Sequence, residues 1–322
     1  MKHVIASLLL VLLFVGGVAR ADQTVPPLET HQYFRISVRS PKLAAEADRA
    51  IRDARNRLIK LVGDSLSYKP DIYVVDNLQV FDSLVGGRFP DWGAGAALAE
   101  RKEILIKSPE MFNINKSFDE LLAHEYAHLV IAAKAGFFEV PRWFNEGLAM
   151  YVSTEWSWSD GLAMSKAAVF GNLIDLRDVE NVNRFGDSKA HVAYAESYLA
   201  VSYMVKTYGK GSIAAFLSKI GQGASDDDAL YFAVGSNYNE FQKEFDQYLH
   251  KRFNLVSLYM DTMFFWVGLA IIVIVAGFIR FRKRRSYYKK WQEQERLEST
   301  DFDYGDPDEP EKIDDDDEPW RN

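Results

Sequence analysis

An uncharged apolar segment near the carboxyl terminus, residues 263–279, divides this chain more sharply than any other feature. It is long enough to cross a bilayer as a helix, and Trp266 near its start suits a membrane interface. A cluster of arginines and lysines follows at once, which favours a cytoplasmic location for that end. A buried core helix is the alternative, and the basic cluster argues against it. We therefore predict one transmembrane helix at residues 262–281.

The amino terminus is typical of an export signal. A short basic start precedes an apolar run at residues 4–15, and Ala19-Arg20-Ala21 forms a small-x-small cleavage site. The run is short for a membrane span, so we predict a cleaved signal peptide at residues 1–21, with an uncleaved anchor as the alternative. Export places residues 22–261 in the periplasm or outside the cell, and this agrees with the orientation given by the basic cluster.

Composition excludes several classes of protein. The chain has no cysteine, which rules out a disulfide scaffold, thiolate metal ligands, an iron–sulfur cluster and a cysteine nucleophile. The formal net charge is −8, and no basic face dominates the exported part, so we expect no nucleic-acid partner.

The chain after the apolar segment, residues 282–322, is first basic and then acidic. The run Asp314-Asp315-Asp316-Asp317-Glu318 cannot be buried, and it predicts a disordered cytoplasmic tail. A solvated tail is the interpretation we favour, and a docking site for a cytoplasmic partner is the alternative.

The exported part predicts an α+β fold in which a small mixed sheet precedes a mainly helical region. Alternating or β-branched residues predict strands at 33–38, 71–75 and 103–107, with a helix at 41–61 after the first strand. Residues 86–95 are rich in glycine and predict a loop. The later apolar periodicity predicts helices, listed here by residue number: 117–135, 141–152, 190–208, 211–220, 226–234 and 237–253.

The segment His124-Glu125-Tyr126-Ala127-His128 lies within the first of these later helices. Four residues correspond to slightly more than one helical turn, so both imidazoles lie on one face. This spacing allows two ring nitrogens to bind one zinc ion. Glu125 lies beside the first histidine, where it can take a proton from water and pass it to a leaving amine.

A catalytic zinc site needs a third protein ligand, and no histidine follows His128 at close range. The next predicted helix offers Glu146, which lies among apolar and small residues. Burying a carboxylate there is costly without a positive partner, and zinc would supply one. A short loop after Gly136 lets this helix turn back against the first.

These two segments resemble the gluzincin metallopeptidases, and most closely the compact peptidase MA-like domains. The resemblance rests on His124-Glu125-Tyr126-Ala127-His128 and on Trp143-Phe144-Asn145-Glu146-Gly147-Leu148-Ala149, with Glu146 eighteen residues after His128. Weaker likeness extends through residues 193–198 and 239–241. The resemblance implies a zincin-like fold, with His124, His128 and Glu146 as zinc ligands and Glu125 as general base.

The same resemblance implies that strand 103–107 is the sheet edge along which an extended peptide lies. The Gly-x-Met-Glu-Asn element with which aminopeptidase relatives bind a free amino terminus is missing. Residues 93–97 lie where a strand that binds substrate could begin, but they contain no carboxylate. Internal cleavage is therefore the better interpretation.

Tetrahedral intermediates of acyl transfer need a hydrogen-bond donor for the oxyanion. Tyr194, Tyr198 and His191 on a later helix are the candidates. Tyr194 is our first choice because of the family likeness, and a packing or surface role is the alternative for each of the three.

The sequence thus predicts a membrane-anchored zinc metalloprotease, most simply an endopeptidase, that acts on polypeptides near the membrane on its outer side. The alternative is a catalytically inactive module of the same fold that holds an envelope protein. A protease that needs a partner for activation is a third interpretation.

Overall fold

The computed structural model describes residues 25–63, 66–87 and 93–297. The expected signal peptide, the acidic tail and the middle of the glycine-rich segment lie outside the described residues. The chain divides into two compact units between Asp261 and Thr262.

A small mixed sheet of five strands forms the amino-terminal part of the first unit, as far as the described residues extend. In spatial order β1-β2-β3-β5-β4, β2, β3 and β5 are parallel, and the outer strands β1 and β4 are antiparallel to their neighbours. The strands are β1 Glu29–Thr30, β2 Arg35–Ser37, β3 Asp71–Val75, β4 Gly95–Leu98 and β5 Glu103–Lys107.

The edge of this sheet is not the strand that the resemblance implied. β5 lies between β3 and β4, so residues 103–107 are interior and β4 forms the edge. β4 was not predicted, and its first residue, Gly95, falls at the end of the segment that was expected to be a loop. Its sequence, Gly-Ala-Ala-Leu, has little of the β-branched or aromatic character of a strand. A tight turn at Lys102, whose φ is 58°, folds β4 back along β5.

Two helices connect the strands. Helix α1, Pro41–Val62, follows β2 and buries the apolar stripe expected from its sequence, which includes Leu43, Ile51 and Leu58. Helix α2, Leu78–Val85, was not predicted. It begins at Asn77, whose side chain accepts hydrogen bonds from the backbone of the first turn.

The rest of the first unit is helical, and the fold is the predicted α+β class. The helices expected at 211–220 and 226–234 have those bounds, and the other later helices agree within a few residues. The helices are α3 Phe118–Lys134, α4 Arg142–Ser153, α5 Trp158–Phe170, α6 Asp187–Tyr208, α7 Gly211–Ile220, α8 Asp226–Val234 and α9 Tyr238–Arg252.

Helix α5 and the 3-10 helix Leu176–Arg184 were not predicted. Helix α5 begins with a capping box in which Ser157 and Asp160 satisfy each other's backbone groups. Its sequence has only a weak amphipathic pattern, and this explains why periodicity did not reveal it.

The main core lies between α1, the sheet and the later helices, and it joins the two parts of the unit. Helices α4 and α6 approach closely at Gly147. A Cβ atom placed there would lie 2.2 Å from the Ser197 carbonyl oxygen. Only glycine permits this approach, which fixes α4, and with it Glu146, against the rest of the core.

Helix α10 comprises Leu255–Leu297. Residues 282–297, the basic start of the tail that was predicted to be disordered, are therefore helical. Among the described residues α10 is the one helix long and apolar enough to cross a membrane, with a mean hydropathy of 2.5 over its most apolar window. None of that window is buried inside the protein, so the alternative of a core helix is wrong.

Candidate metal centre

Helix α3 presents the two histidines and the glutamate of the H-E-x-x-H segment. A capping box between Ser117 and Glu120 fixes where the helix begins. His124 and Glu125 are buried, and the imidazole rings of His124 and His128 lie 4.8 Å apart, centroid to centroid, at 79°. Helical geometry thus points both rings toward one place, as the spacing predicted.

Helix α4 brings Glu146 to the same place. Its Oε2 atom lies 3.6 Å from His124 Nε2 and 3.9 Å from His128 Nε2. One ligand atom from each of these three residues lies within 4.8 Å of the other two.

These separations fit a zinc ion. Zinc–ligand bonds of about 2.0–2.2 Å at tetrahedral angles place ligand atoms about 3.3–3.6 Å apart. The two distances to Glu146, 3.6 and 3.9 Å, lie at or just above this range. Two imidazoles and one carboxylate are also the donor set of catalytic zinc sites that keep a fourth position for water or substrate.

His124 is oriented by a second carboxylate. Its Nδ1–H donates a hydrogen bond to Glu155 Oε1 at 2.8 Å, which leaves Nε2 for a metal. Ser153 Oγ donates to the same oxygen at 2.7 Å, and Lys116 Nζ donates to the other carboxylate oxygen at 2.6 Å. Such partners fix the tautomer and ring orientation of a ligand histidine.

His128 is oriented in the same way by an amide. Its Nδ1–H donates to Asn145 Oδ1 at 2.8 Å. Asn145 directly precedes Glu146, so α4 supplies both a candidate ligand and the residue that orients another.

The charges of the group are strongly coupled. Burial alone would lower the pKa of His124, but the adjacent carboxylates of Glu146 and Glu155 outweigh burial and raise it to about 10. Burial alone would raise the pKa of Glu146, but His124 and His128 lower it to about 2. Glu146 thus stabilises a positive charge where the two Nε2 atoms converge, and Glu155 stabilises a positive charge on the His124 ring from its other side.

Glu125 lies against the edge strand. A Cβ atom added to Gly95 of β4 would lie 2.8 Å from Glu125 Oε1 and 2.9 Å from its Cγ. Burial raises the pKa of Glu125, and the two imidazoles only partly offset this effect. A buried carboxylate with a raised pKa, beside a sheet edge, is suited to accept and release a proton.

Tyr194 is connected to this group through Arg142. Arg142 Nη2 donates to the Tyr194 hydroxyl at 3.4 Å, and Arg142 Nε lies 3.9 Å from Glu146 Oε1. Burial and the charge of Glu146 raise the pKa of Tyr194, so its hydroxyl keeps its proton at neutral pH.

The two other candidate donors have different neighbours. The Tyr198 ring stacks on Trp156 at 5.0 Å, and burial raises the pKa of its hydroxyl. His191 Nε2 contacts Asp160 Oδ1 at 2.7 Å, at the start of α5. Of the three, Tyr194 is the one whose contacts lead to the candidate ligands.

Sequence reasoning missed Glu155, Asn145 and Arg142. Asn145 and Arg142 lie within the second motif, so their proximity to Glu146 was the available signal. Glu155 had no such signal, because its position depends on how the chain leaves α4.

Comparison with known proteins agrees with the motif. Residues 50–251 match the peptidase MA superfamily. The chain belongs to this superfamily. The match begins within α1 and continues through β3, β5 and β4 and through α3, α4 and α6, which carry the candidate ligands and their neighbours. Curated proteins gave no match.

Proposed function

We propose that this member of the peptidase MA superfamily is a membrane-anchored zinc metallopeptidase that cleaves internal peptide bonds of polypeptides outside the cytoplasm. The observation that carries the proposal is the convergence of His124, His128 and Glu146, with Glu125 beside them at the sheet edge. A zinc ion held only for structure would not require a buried carboxylate next to that edge.

His124, His128 and Glu146 would hold the ion, and Glu155 and Asn145 would orient the two imidazoles. When bound, zinc supplies Lewis acidity for the scissile carbonyl and lowers the pKa of water toward 7. Glu125 then takes the proton of the attacking water and delivers it to the nitrogen of the leaving amine. Tyr194 would donate its hydroxyl hydrogen to the developing oxyanion.

The substrate would bind in an extended conformation along β4. In the described part of the chain no strand pairs with the outer side of β4, so its backbone groups are available to a peptide. Gly95 keeps that strand within contact distance of Glu125, so a peptide paired there passes the general base. The strand offers no carboxylate for a free amino terminus, and this supports internal cleavage.

The anchor would be the apolar part of α10. Two features of the sequence support the sidedness of the proposal: the predicted export signal at residues 1–21 and the basic cluster after residue 279 favour a peptidase domain outside and a tail in the cytoplasm. The acidic tail would remain solvated or recruit a cytoplasmic partner. The acidic composition supports the absence of a nucleic-acid partner.

Metal analysis of the purified full-length protein, combined with a peptidase assay on unfolded polypeptides, tests the proposal. We expect about one zinc per chain. Glu125→Gln should keep the zinc and lose cleavage, and Glu146→Gln should lose both. Glu139→Gln changes an exposed glutamate outside the site and should alter neither.

Two outcomes would overturn the proposal. Wild-type protein without stoichiometric zinc excludes the metal centre. Zinc-loaded wild type that is no more active than Glu125→Gln, both on purified substrates and in cells, favours the non-catalytic binding module. The assay in cells is needed because a protease that requires an activating partner would be inactive when purified alone.

A further inference from the structure

Large apolar side chains are exposed where α5 begins and where α9 gives way to α10. Trp158 is 63% exposed, Leu255 71% and Val256 70%, and Tyr259 and Met260 are also exposed. We call these five residues the aromatic patch. All belong to the first unit. Large exposed apolar side chains that share one surface mark an interaction site.

The beginning of α5 is held beside the beginning of α10. An open groove of about 460 Å³ lies between them, and Ser165 Oγ of α5 lies 3.4 Å from Ser257 Oγ. The residues that line the groove include Trp156, Ser157, Trp158, Arg252, Phe253 and Ser257. Trp158 therefore belongs to one surface with the first turn of α10.

Trp156 and Trp158 have opposite environments although they are two residues apart. Trp156 stacks on Tyr198 and lies 6.3 Å from Phe253, within the aromatic packing of the domain. Trp158 is the first residue of α5, fixed by the capping box at Ser157, and its ring points to solvent. Packing in the domain thus accounts for the presence of Trp156 but not for that of Trp158.

Cationic side chains border the aromatic patch. Lys251 and Arg252 are exposed at the end of α9. The Arg252 guanidinium lies over the Phe253 ring at 5.1 Å and donates to the Tyr248 hydroxyl at 2.8 Å. A surface of tryptophan, tyrosine and leucine with arginine and lysine at its border matches the interface of a phospholipid bilayer.

We propose that the aromatic patch docks onto the headgroup region of the bilayer in which this protein is anchored. The inference rests on the membrane anchor of the proposed function. Tyr259 precedes Met263, the start of the apolar segment, by four residues, which span at most about 14 Å even when fully extended. Chain connection therefore keeps the α10 residues of the aromatic patch close to the headgroups, and the shared groove places Trp158 beside them. This favours lipid over a separate protein as the occupant.

Docking has a consequence for the substrate. Glu155, which contacts His124, precedes Trp158 by three residues, or at most about 10 Å of chain. A tryptophan held at the headgroups therefore keeps the candidate metal centre close to the membrane surface. The substrate class that follows is the juxtamembrane segments of membrane-anchored polypeptides, in extended conformation.

The absence of cysteine permits a direct test. Single cysteines are introduced into the full-length protein in lipid nanodiscs that contain phosphatidylcholine and phosphatidylglycerol, and each carries a nitroxide label. Power saturation then compares the label's accessibility to oxygen, which enters the bilayer, with its accessibility to a water-soluble nickel chelate. Ser159→Cys and Val256→Cys report on the aromatic patch, and Ile272→Cys reports on the span. Met111→Cys, at an exposed loop position, is the aqueous reference.

We expect the Ile272 label to be deep and the Ser159 and Val256 labels to lie at headgroup depth. Their accessibility to nickel should be several-fold lower than that of the Met111 label, while their accessibility to oxygen should be no lower than that of the Met111 label. Adding Trp158→Ser to the Ser159→Cys variant should raise nickel accessibility, whereas Phe232→Ser, at an exposed position of α8, should not.

Three results would overturn the inference. A deep Ile272 label with aqueous labels at Ser159 and Val256 refutes docking and leaves the anchor intact. An aqueous Ile272 label refutes the anchor itself. Labels at the aromatic patch that are shielded from both oxygen and nickel indicate a protein contact, such as a second copy, in place of lipid.

Discussion

His124 Nδ1 lies 2.8 Å from Glu155 Oε1, although 31 residues separate the two in the chain. The hydrogen bond commits the other ring nitrogen, Nε2, to the side where Glu146 lies 3.6 Å away. Burial alone would raise the pKa of Glu155, but His124 and Lys116 lower it to about 2, so this carboxylate is ionised at neutral pH. A charged acceptor orients the imidazole more strongly than a neutral one.

Glu155→Gln should therefore weaken zinc binding about 10- to 100-fold, because the amide holds the His124 ring less firmly and lowers its basicity. Competition with a chromophoric chelator on the full-length protein measures the affinity. Lys116→Met removes another partner of Glu155 but leaves the contact with His124, so it should cost much less affinity. Equal losses in the two variants would contradict a specific role for Glu155 at His124.

The parts of this site that sequence predicted are those fixed by local geometry. One helical turn brings His124 and His128 together whatever the rest of the fold is, and Pro141 and Gly136 mark the turn that returns the next helix with Glu146. The contact of Glu155 with His124 could not be predicted, because the position of Glu155 depends on the conformation of Thr154. Thr154 adopts a left-handed conformation with φ of 64° and turns the chain back toward α3. β-branched residues adopt this conformation rarely, and the sequence contains no signal that predicts it at Thr154.

In the sheet, too, some strands could be predicted from sequence and one could not. The apolar runs of β3 and β5 identify buried strands, and both have the predicted bounds. The edge strand β4 was missed because glycine and alanine give no strand signal. The physical reason for this composition is visible only in three dimensions: Gly95 must leave room for the carboxylate of Glu125.

Gly95→Ala tests that relationship. The added Cβ would lie 2.8 Å from Glu125 Oε1 and 3.0 Å from its Cδ, so the carboxylate must move. Displacement of a catalytic group by about 1 Å can cost about 100-fold in rate, and we expect a loss in kcat of that order with zinc content unchanged. Gly87→Ala is the matched control, because a Cβ there meets nothing within 4 Å. Unaltered cleavage by Gly95→Ala would show that β4 does not constrain the general base.

Tyr194→Phe separates an oxyanion donor from a packing residue. Loss of one such donor typically costs about 10²- to 10³-fold in kcat, with little change in zinc affinity or stability. Tyr198→Phe removes a hydroxyl from the same helix, but its ring packs against Trp156, so its kcat should stay near that of the wild type. Steady-state kinetics on one quenched-fluorescence peptide measure both variants. If both variants retain wild-type kcat, a different group stabilises the oxyanion.

The raised pKa of Glu196 leads to a prediction of how the stability of the protein changes with pH. Glu196 is fully buried in α6, and its carboxyl group accepts hydrogen bonds from the Ile174 backbone N–H at 3.0 and 3.1 Å. Burial raises its pKa from the ordinary 4.5 to about 9. The bond from Ile174 opposes this shift, and the charges of Asp246 and Asp175 add to it. The folded protein therefore keeps a proton that the unfolded chain loses above pH 4.5.

The sign of the effect follows from linkage. The stabilisation by neutral Glu196 is complete below about pH 4.5 and is lost as the pH rises toward 9, by at most about 1.4 kcal/mol per pH unit. Glu196→Gln cannot ionise and still offers an oxygen to Ile174, so its melting temperature should fall less than that of the wild type between about pH 5 and pH 9. Thermal unfolding of the full-length proteins in detergent measures the difference, with the exposed-site variant Glu139→Gln as the control. Parallel curves for wild type and Glu196→Gln would mean that this carboxyl group ionises at its ordinary pKa in the folded protein.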